Sequence, residues 1–163
     1  MLRDDGRDQA PITGRLCAPT DNLIVDIMPT RGDILGFSCE WYQLAFDTAQ
    51  TTSLPNGTTI RLVTPACFLA TKLTAFADRG RRNPMASHDL EDVVAVIDGR
   101  PEIVGDVTAA SADLRVAIAA KFADLLARLD AEDVVAAQFL PDAESQDRLP
   151  LVLERIKAMA RLG

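Results

Sequence analysis

The sequence predicts an α+β fold: a small mixed or antiparallel sheet with helices, followed by a helical lobe. Three observations support this prediction. Short apolar runs alternate with turn residues in the first half, apolar residues keep helical spacing throughout the second half, and 48% of the 163 residues are hydrophobic, which is a globular composition. We assign the partial sheet and its helices to residues 1–80 and the helical lobe to residues 81–163, either as two parts or as one continuous domain.

Three short segments in the first half of the chain are predicted to be strands. ITGRLC (residues 12–17) and LIVDIM (residues 23–28) flank a short polar turn, a pattern typical of an antiparallel pair. TTIRLV (residues 58–63) is β-branched and alternating, and it follows the turn signal Pro-Asn-Gly. These three segments supply the small sheet.

The predicted helices begin and end at residues that favour helix ends. Ser87 and Ser111 cap helices through their hydroxyls, and Asp130 is a third candidate cap. Gly99 and Pro101 end the helix that Ser87 starts. The predicted helices span residues 41–49, 65–78, 87–99, 111–129 and 149–162, and a further helix is predicted to begin after Asp130.

Composition argues against some classes of binding partner and some cellular compartments. The net charge of −7 argues against a broad basic groove for duplex nucleic acid, and basic residues cluster only within residues 79–82. The three cysteines lack Cys-x-x-Cys spacing, which favours free thiols over a disulfide framework or a zinc site. No apolar run approaches the length of a membrane span, and the first residues contain no secretory signal. We therefore expect a cytoplasmic protein without a membrane partner.

One carboxylate interrupts the apolar strand candidate at residues 23–28. In an extended strand, Ile24, Asp26 and Met28 share one face. Because burying an unpaired carboxylate is costly, Asp26 should have either a partner or contact with water. Two interpretations follow: a strand-end aspartate open to solvent, or a metal-binding carboxylate that projects from the sheet into a cleft.

Two cations and two carboxylates stand out on the next predicted helices. Lys72 and Arg79 are seven residues apart, so they point to nearly the same side of one helix, either as a solvated surface or as a pair that neutralises phosphate oxygens. Asp89 and Asp92 are helical neighbours just after Ser87, either as residues that complement the helix dipole or as groups that orient the cations or bind a metal. His88 is interpreted as a helix-start residue rather than a catalytic base.

The order of these residues resembles the AbiEii-like nucleotidyltransferases of the polymerase-β-like superfamily, which include toxins of abortive-infection and toxin–antitoxin systems. The resemblance covers roughly residues 10–100, and the stretch DIMPTRGDILGFSCEWY is also similar to a subgroup of these proteins. The matching residues are Asp26 in LIVDIMP, Lys72, Ala75 and Arg79 in KLTAFADR, and Asp89 and Asp92 in HDLEDVV.

The resemblance implies a nucleotidyltransferase-like fold and a magnesium-dependent activity. That activity transfers a nucleoside monophosphate from an NTP to an RNA acceptor, often a tRNA end, or to a protein. By resemblance, Asp26 would bind Mg²⁺, and Lys72 and Arg79 would bind the triphosphate. Lys72 would also be catalytic, together with Asp89 and Asp92.

The sequence departs from the family in one respect: it contains neither the Gly-Ser dipeptide nor the Asp-x-Asp motif. We therefore expect the amino-terminal strand–turn–helix–strand unit to be missing and activity to be weak or absent in this polypeptide, because one aspartate alone is a poor Mg²⁺ site. A sheet without its first strands also exposes an edge. The alternative is a non-catalytic interaction module that binds itself or a protein partner such as an antitoxin. A third hypothesis is an acidic helical regulator without a nucleotide.

Overall fold

The computed structural model describes residues 14–17, 24–27 and 39–163 of the chain. Its secondary structure is mostly helical with short antiparallel strands, so the predicted α+β class is confirmed. Within the described residues, no helix is long and apolar enough to cross a membrane.

The described strands form two separate antiparallel hairpins. Strand β1 (Gly14–Cys17) pairs with β2 (Ile24–Ile27), which confirms the predicted first pair and places Arg15 opposite Asp26. Strand β3 (Gln50–Ser53) pairs with β4 (Thr59–Leu62) around a turn in which Gly57 has a φ of 85°. That angle suits glycine, so the turn predicted from Pro-Asn-Gly forms. Strand β3 itself was not predicted, because the sequence QTTS lacks apolar alternation.

The helices follow the predicted order with two additions. The first helix ends at Asp47, two residues before its predicted end, where the chain turns toward strand β3. Two short helices, α4 and α7, were not predicted. The helices are α1 (Trp41–Asp47), α2 (Pro65–Arg79), α3 (His88–Gly99), α4 (Ile103–Thr108), α5 (Ala112–Leu126), α6 (Ala131–Ala136), α7 (Ala143–Gln146) and α8 (Leu149–Ala160), and 3₁₀ turns span Gly80–Arg82 and Pro84–Ala86.

Two of the three predicted caps act through their side chains. The Ser87 and Ser111 hydroxyls each accept a hydrogen bond, 3.4 Å long, from the N–H three residues ahead, at the starts of α3 and α5. Asp130 stands at the start of α6, but its carboxylate accepts two hydrogen bonds from the Arg128 guanidinium and does not cap the helix. The prediction of a side-chain cap at Asp130 is therefore wrong.

Helix α2 packs in the centre of the hydrophobic core and contacts α1, α3, α4 and α5. Its buried residues join those of the later helices in one cluster. The helix that carries Lys72 and Arg79 is thereby fixed against the helical half of the chain, and the domain division at residue 80 stays a prediction. The largest fully buried side chains are Leu69, Leu73, Leu90, Val93, Ile97, Ile103, Val107, Ile118, Phe122, Val134, Ile156 and Met159.

The β3–β4 hairpin lies outside this core. Most of its side chains are exposed, and Leu62 has an exposed fraction of 51%. The Arg61 guanidinium attaches the hairpin to α1 by donating a 2.8 Å hydrogen bond to the Phe46 carbonyl, and it lies 5.1 Å from the centre of the Phe46 ring. The hairpin is held at this point, while both of its faces remain accessible to solvent.

Candidate functional site

The side of helix α2 that faces α3 carries the two predicted cations. Lys72 Nζ lies 2.5 Å from Asp92 Oδ2 and 3.6 Å from Asp89 Oδ1. Two helical turns further along, Arg79 contacts Asp89 as well. The structure therefore brings four of the five predicted site residues together into one group, called here the charged cluster: Lys72, Arg79, Asp89 and Asp92.

Asp89 is the centre of the charged cluster. Its carboxylate accepts two parallel hydrogen bonds from Arg79, from Nε at 2.8 Å and from Nη2 at 2.9 Å. This two-point geometry is the one that guanidinium and carboxylate groups prefer. The Asp89 side chain is only 8% exposed, whereas that of Arg79 is 64% exposed. The largely exposed Arg79 side chain thus places its guanidinium charge against a nearly buried carboxylate.

The electrostatics of Asp89 follow from this arrangement. Burial by itself disfavours the charged form and acts to raise the pKa, but the hydrogen bonds and charge of Arg79, with the charge of Lys72, outweigh it and lower the pKa of Asp89 below its usual value. The hydrogen bond to Asp89 in turn raises the pKa of Arg79. Asp89 is therefore ionised at neutral pH, and its oxygens are occupied by cations.

A close contact at Gly80 explains how Arg79 and Asp89 meet across ten residues. A Cβ atom at Gly80 would lie 2.4 Å from Cδ2 of Phe76 and 2.7 Å from Oγ of Ser87. Both distances are shorter than real Cβ contacts, so only glycine lets the turn after α2 pack this closely against the cap of α3. The tight turn aligns the end of α2 with the start of α3.

The charged cluster is neutral as a whole and partly open to water. Its two cations balance its two carboxylates, and the side chains of Lys72 and Asp92 are 30% and 46% exposed. Lys72 and Arg79 keep N–H donors beyond those that contact the carboxylates. The cluster can therefore present donors to an anion, but neither carboxylate is unpaired and ready to act as a general base.

A magnesium site does not form from the described carboxylates. Among the described residues there is no group of three or more His, Cys, Asp or Glu side chains that could hold a metal ion. Asp89 and Asp92 are engaged by cations, which does not fit the oxygen cage that Mg²⁺ requires. The backbone of Asp26 lies in β2, but its side chain is outside the described part of the structure, so its role as a metal ligand stays a prediction.

Other candidate groups have simpler roles. His88 is the first residue of α3, as predicted, and its Nδ1 lies 3.1 Å from Oε2 of Glu91 on the surface. Cys39 and Cys67 are free thiols. Burial raises the pKa of the Cys39 thiol, which disfavours the reactive thiolate. Cys39 lines a pocket together with Arg79, and His88 lines another with Arg79 and Asp89, so both lie beside the charged cluster.

A pocket that the sequence did not indicate lies on the neighbouring side of α2. This α1–α2 pocket has a volume of about 230 Å³. It is lined by Cys39, by Tyr42 of α1 and by Thr71, Thr74, Ala75, Asp78 and Arg79 of α2. Burial raises the pKa of the Tyr42 phenol, and the phenol also interacts electrostatically with charges of the cluster. The only sequence signal was the spacing of Thr71, Ala75 and Asp78 along one helical face, which becomes a pocket wall once α1 packs nearby.

Comparison with protein-family models, with curated proteins and with solved structures found no match to the chain. The resemblance to AbiEii-like nucleotidyltransferases therefore depends on the residues of this sequence alone. The structure adds the spatial relation of four of those residues, and the family assignment is a proposal.

Proposed function

We propose that this chain is a nucleotidyltransferase-like protein whose charged cluster binds the triphosphate of an NTP, with weak or absent transfer activity in this polypeptide. One observation carries the proposal. Lys72 and Arg79, which match the family motif, lie on one side of α2, and Asp89 and Asp92 of the second matching motif hold both of them there. Residues that are separate in the sequence thus form a single ion-pair cluster in the fold, which supports the proposal.

The chemistry of the cluster suits a polyphosphate. An arginine binds phosphate oxygens as a fork, and a lysine binds them as a point charge. The partly exposed Asp92 can release Lys72 when a more highly charged anion arrives, while the buried Asp89 keeps Arg79 in position. A cation pair held in advance loses little entropy when the ligand binds.

In the proposed reaction, a hydroxyl oxygen of the acceptor attacks the α-phosphorus, and the hydroxyl proton passes to solvent water. The bond from that phosphorus to the bridging oxygen of the β-phosphate breaks, and pyrophosphate leaves. Lys72 and Arg79 would neutralise charge on the departing pyrophosphate. The acceptor is an RNA end, such as that of a tRNA, or a protein hydroxyl. Because the described carboxylates do not fit Mg²⁺, we assign no step to the metal, whose predicted ligand is Asp26. The cytoplasm remains the expected compartment.

Isothermal titration calorimetry of the full chain with Mg–ATP, Mg–CTP and Mg–GTP tests the proposal. We expect micromolar binding of at least one nucleotide and a loss of about tenfold or more in Lys72→Ala, because a charge-assisted hydrogen bond contributes about 1.5–3 kcal/mol. Lys157→Ala removes an equal charge from an exposed position on α8 and serves as the matched control. Equal affinities for Lys72→Ala and wild type would exclude the charged cluster as the triphosphate site.

A second candidate function, a non-catalytic interaction module, is favoured by the hairpins. Among the described strands, each pairs only within its own hairpin, so each leaves one edge unpaired and able to bind another strand. This function predicts no NTP binding. It also predicts association with a second copy, or with a protein partner such as an antitoxin, that responds to substitutions at residues 15–17 and not to Lys72→Ala. Sedimentation velocity of these variants separates it from the nucleotide proposal.

A further inference from the structure

The outer edge of strand β3 is unpaired within the part of the chain that the structure describes. Leu54, just after this strand, donates its backbone N–H to the Thr58 carbonyl at 2.8 Å. Because backbone groups alternate in direction along an antiparallel strand, Thr52 also faces β4, and Thr51 and Ser53 turn their N–H and C=O groups outward. No hydrogen bond joins these outward groups to another described element. The edge can therefore accept a further strand.

The same edge lies in an uncharged part of this acidic chain. Residues 48–60 form the longest stretch without Asp, Glu, Lys or Arg, and all four residues of β3 are exposed. The chain carries a net charge of −7, so two copies repel each other when they approach through acidic faces. An uncharged edge lets a second copy approach with little of that repulsion, whereas it offers a strongly charged partner no complementary charge. Charge thus favours a second copy as the occupant.

The β3–β4 hairpin would also be stabilised by an added strand. A two-stranded hairpin is at best marginally stable in water unless further strands or a helix pack against it. This hairpin lies outside the core, and the Arg61 side chain attaches it to the end of α1. Two such hairpins that pair through β3 would form a four-stranded sheet in the order β4–β3–β3–β4.

We propose that β3 pairs antiparallel with β3 of a second copy, around a twofold axis at Thr52. In this register the outward groups of Thr51 meet those of Ser53 in the other copy and exchange backbone hydrogen bonds. Thr52 lies opposite Thr52 of the second copy at a position where side chains are close, and paired threonines are favourable there. This self-association goes beyond the nucleotide proposal and does not depend on it. It names a specific edge and partner where the second candidate function left both open.

Sedimentation equilibrium of the full chain over a range of concentrations tests the pairing. We expect the wild type to show a reversible monomer–dimer equilibrium. Thr52→Lys and Thr52→Glu should each weaken the dimer about fivefold or more, because like charges directly opposite each other on paired strands repel. An equimolar mixture of the two variants should restore the dimer, since an introduced ammonium group then faces an introduced carboxylate across the axis.

A second variant, Ser53→Pro, probes the backbone hydrogen bonds of the edge. Proline lacks an N–H, and the N–H removed at Ser53 is one that points outward, so the hairpin keeps its own pairing. The dimer should weaken about tenfold or more, because the twofold axis doubles the loss to two hydrogen bonds. Thr59→Lys is the matched control for Thr52→Lys: it adds the same charge at an exposed position on β4 and should leave the dimer unchanged.

Three results would overturn the pairing. A wild type that stays monomeric at every concentration is the first, and a dimer that Thr52→Lys and Ser53→Pro both leave unchanged is the second. The third is a dimer that both charge variants weaken but that does not re-form in their mixture. Association that responds only to substitutions at residues 15–17 would likewise overturn the assignment to β3, while the second candidate function would stand. Nucleotide binding is measured separately by calorimetry, so the nucleotide proposal stands or fails on its own.

Discussion

Two guanidinium–carboxylate pairs in this protein have nearly the same geometry and very different surroundings. Arg79 and Asp89 meet at 2.8 and 2.9 Å, and both hydrogen bonds between Arg128 and Asp130 are 2.9 Å long. The Asp89 side chain is 8% exposed, whereas that of Asp130 is 42% exposed. The first pair joins two helices, and the second closes a local turn between α5 and α6.

The comparison shows that burial, and not hydrogen-bond geometry, decides what such a pair does. The carboxylate of Asp130 remains hydrated with or without its partner, and salt screens the attraction, so the pair contributes little to stability. Asp89 has lost most of its water; burial acts to raise its pKa, and the hydrogen bonds and charges of Arg79 and Lys72 outweigh that effect. The pair at Asp89 should therefore hold α2 and α3 together, and the pair at Asp130 should be dispensable.

The largest expected effect comes from Arg79→Ala. This substitution leaves a nearly buried carboxylate without its two hydrogen bonds, and Lys72, at 3.6 Å, replaces them only in part. We expect the free energy of unfolding to fall by about 1–3 kcal/mol, the range for an unsatisfied buried polar group. Chemical denaturation followed by circular dichroism measures this change through the shift in its midpoint.

The matched control is Arg128→Ala, which removes the same side chain from the exposed pair. Its midpoint should stay within experimental error of the wild type. Equal losses in Arg79→Ala and Arg128→Ala would mean that burial does not distinguish the two pairs, and the structural role assigned to Asp89 would then be wrong.

A smaller loss is expected from Gly80→Ala, which probes the turn that brings Arg79 to Asp89. The added methyl group would lie 2.4 Å from the buried Phe76 ring, so the ring or the backbone must move. We expect a destabilisation of about 1–2 kcal/mol, the lower part of the range for overpacking. Thermal unfolding measures it. Gly105→Ala, where a Cβ atom meets nothing within 4 Å, should cause no loss, and a Gly80→Ala variant as stable as wild type would contradict the tight turn.

The parts of the fold that were predictable from the sequence are those set by local chemistry. Ser87 and Ser111 cap their helices because a hydroxyl reaches an N–H only three residues away. The strand at Gln50–Ser53 escaped prediction because its side chains are polar and exposed on both faces, so hydrophobic alternation is absent. Helix α4 is only six residues long, which is too short for a helical spacing of apolar residues to be recognised in the sequence.

The sequence predicted which residues belong to the candidate site, but not which cation pairs with which carboxylate. Spacing alone places Lys72 and Arg79 on one side of α2, yet which acid each one contacts depends on how α2 and α3 pack. Nothing in the sequence marks Asp89 as more buried than Asp92. The α1–α2 pocket also depends on the approach of α1, a tertiary contact that helical periodicity cannot report.

The finest test of the comparison is the pH dependence of stability in Asp89→Asn. Burial acts to raise the pKa of Asp89, whereas Arg79 and Lys72 act to lower it. The net result is a lowered pKa in the folded state. Such a group adds stability above its unfolded pKa of about 3.9, and this stability is lost as the pH falls through the folded value. The difference in unfolding free energy between wild type and Asp89→Asn should therefore shrink below about pH 4.

Asp130→Asn supplies the contrast for this pH series. The hydrogen bond from Arg128 also lowers the pKa of Asp130, so the sign of its effect is the same. Because that carboxylate is open to water and salt, its difference from wild type should be small at every pH when the ionic strength is physiological. Urea titrations at several pH values measure both series. If Asp89→Asn is less stable than wild type by the same free energy at every pH down to 2, the ionised carboxylate contributes nothing to stability. The loss in that variant would then come from packing.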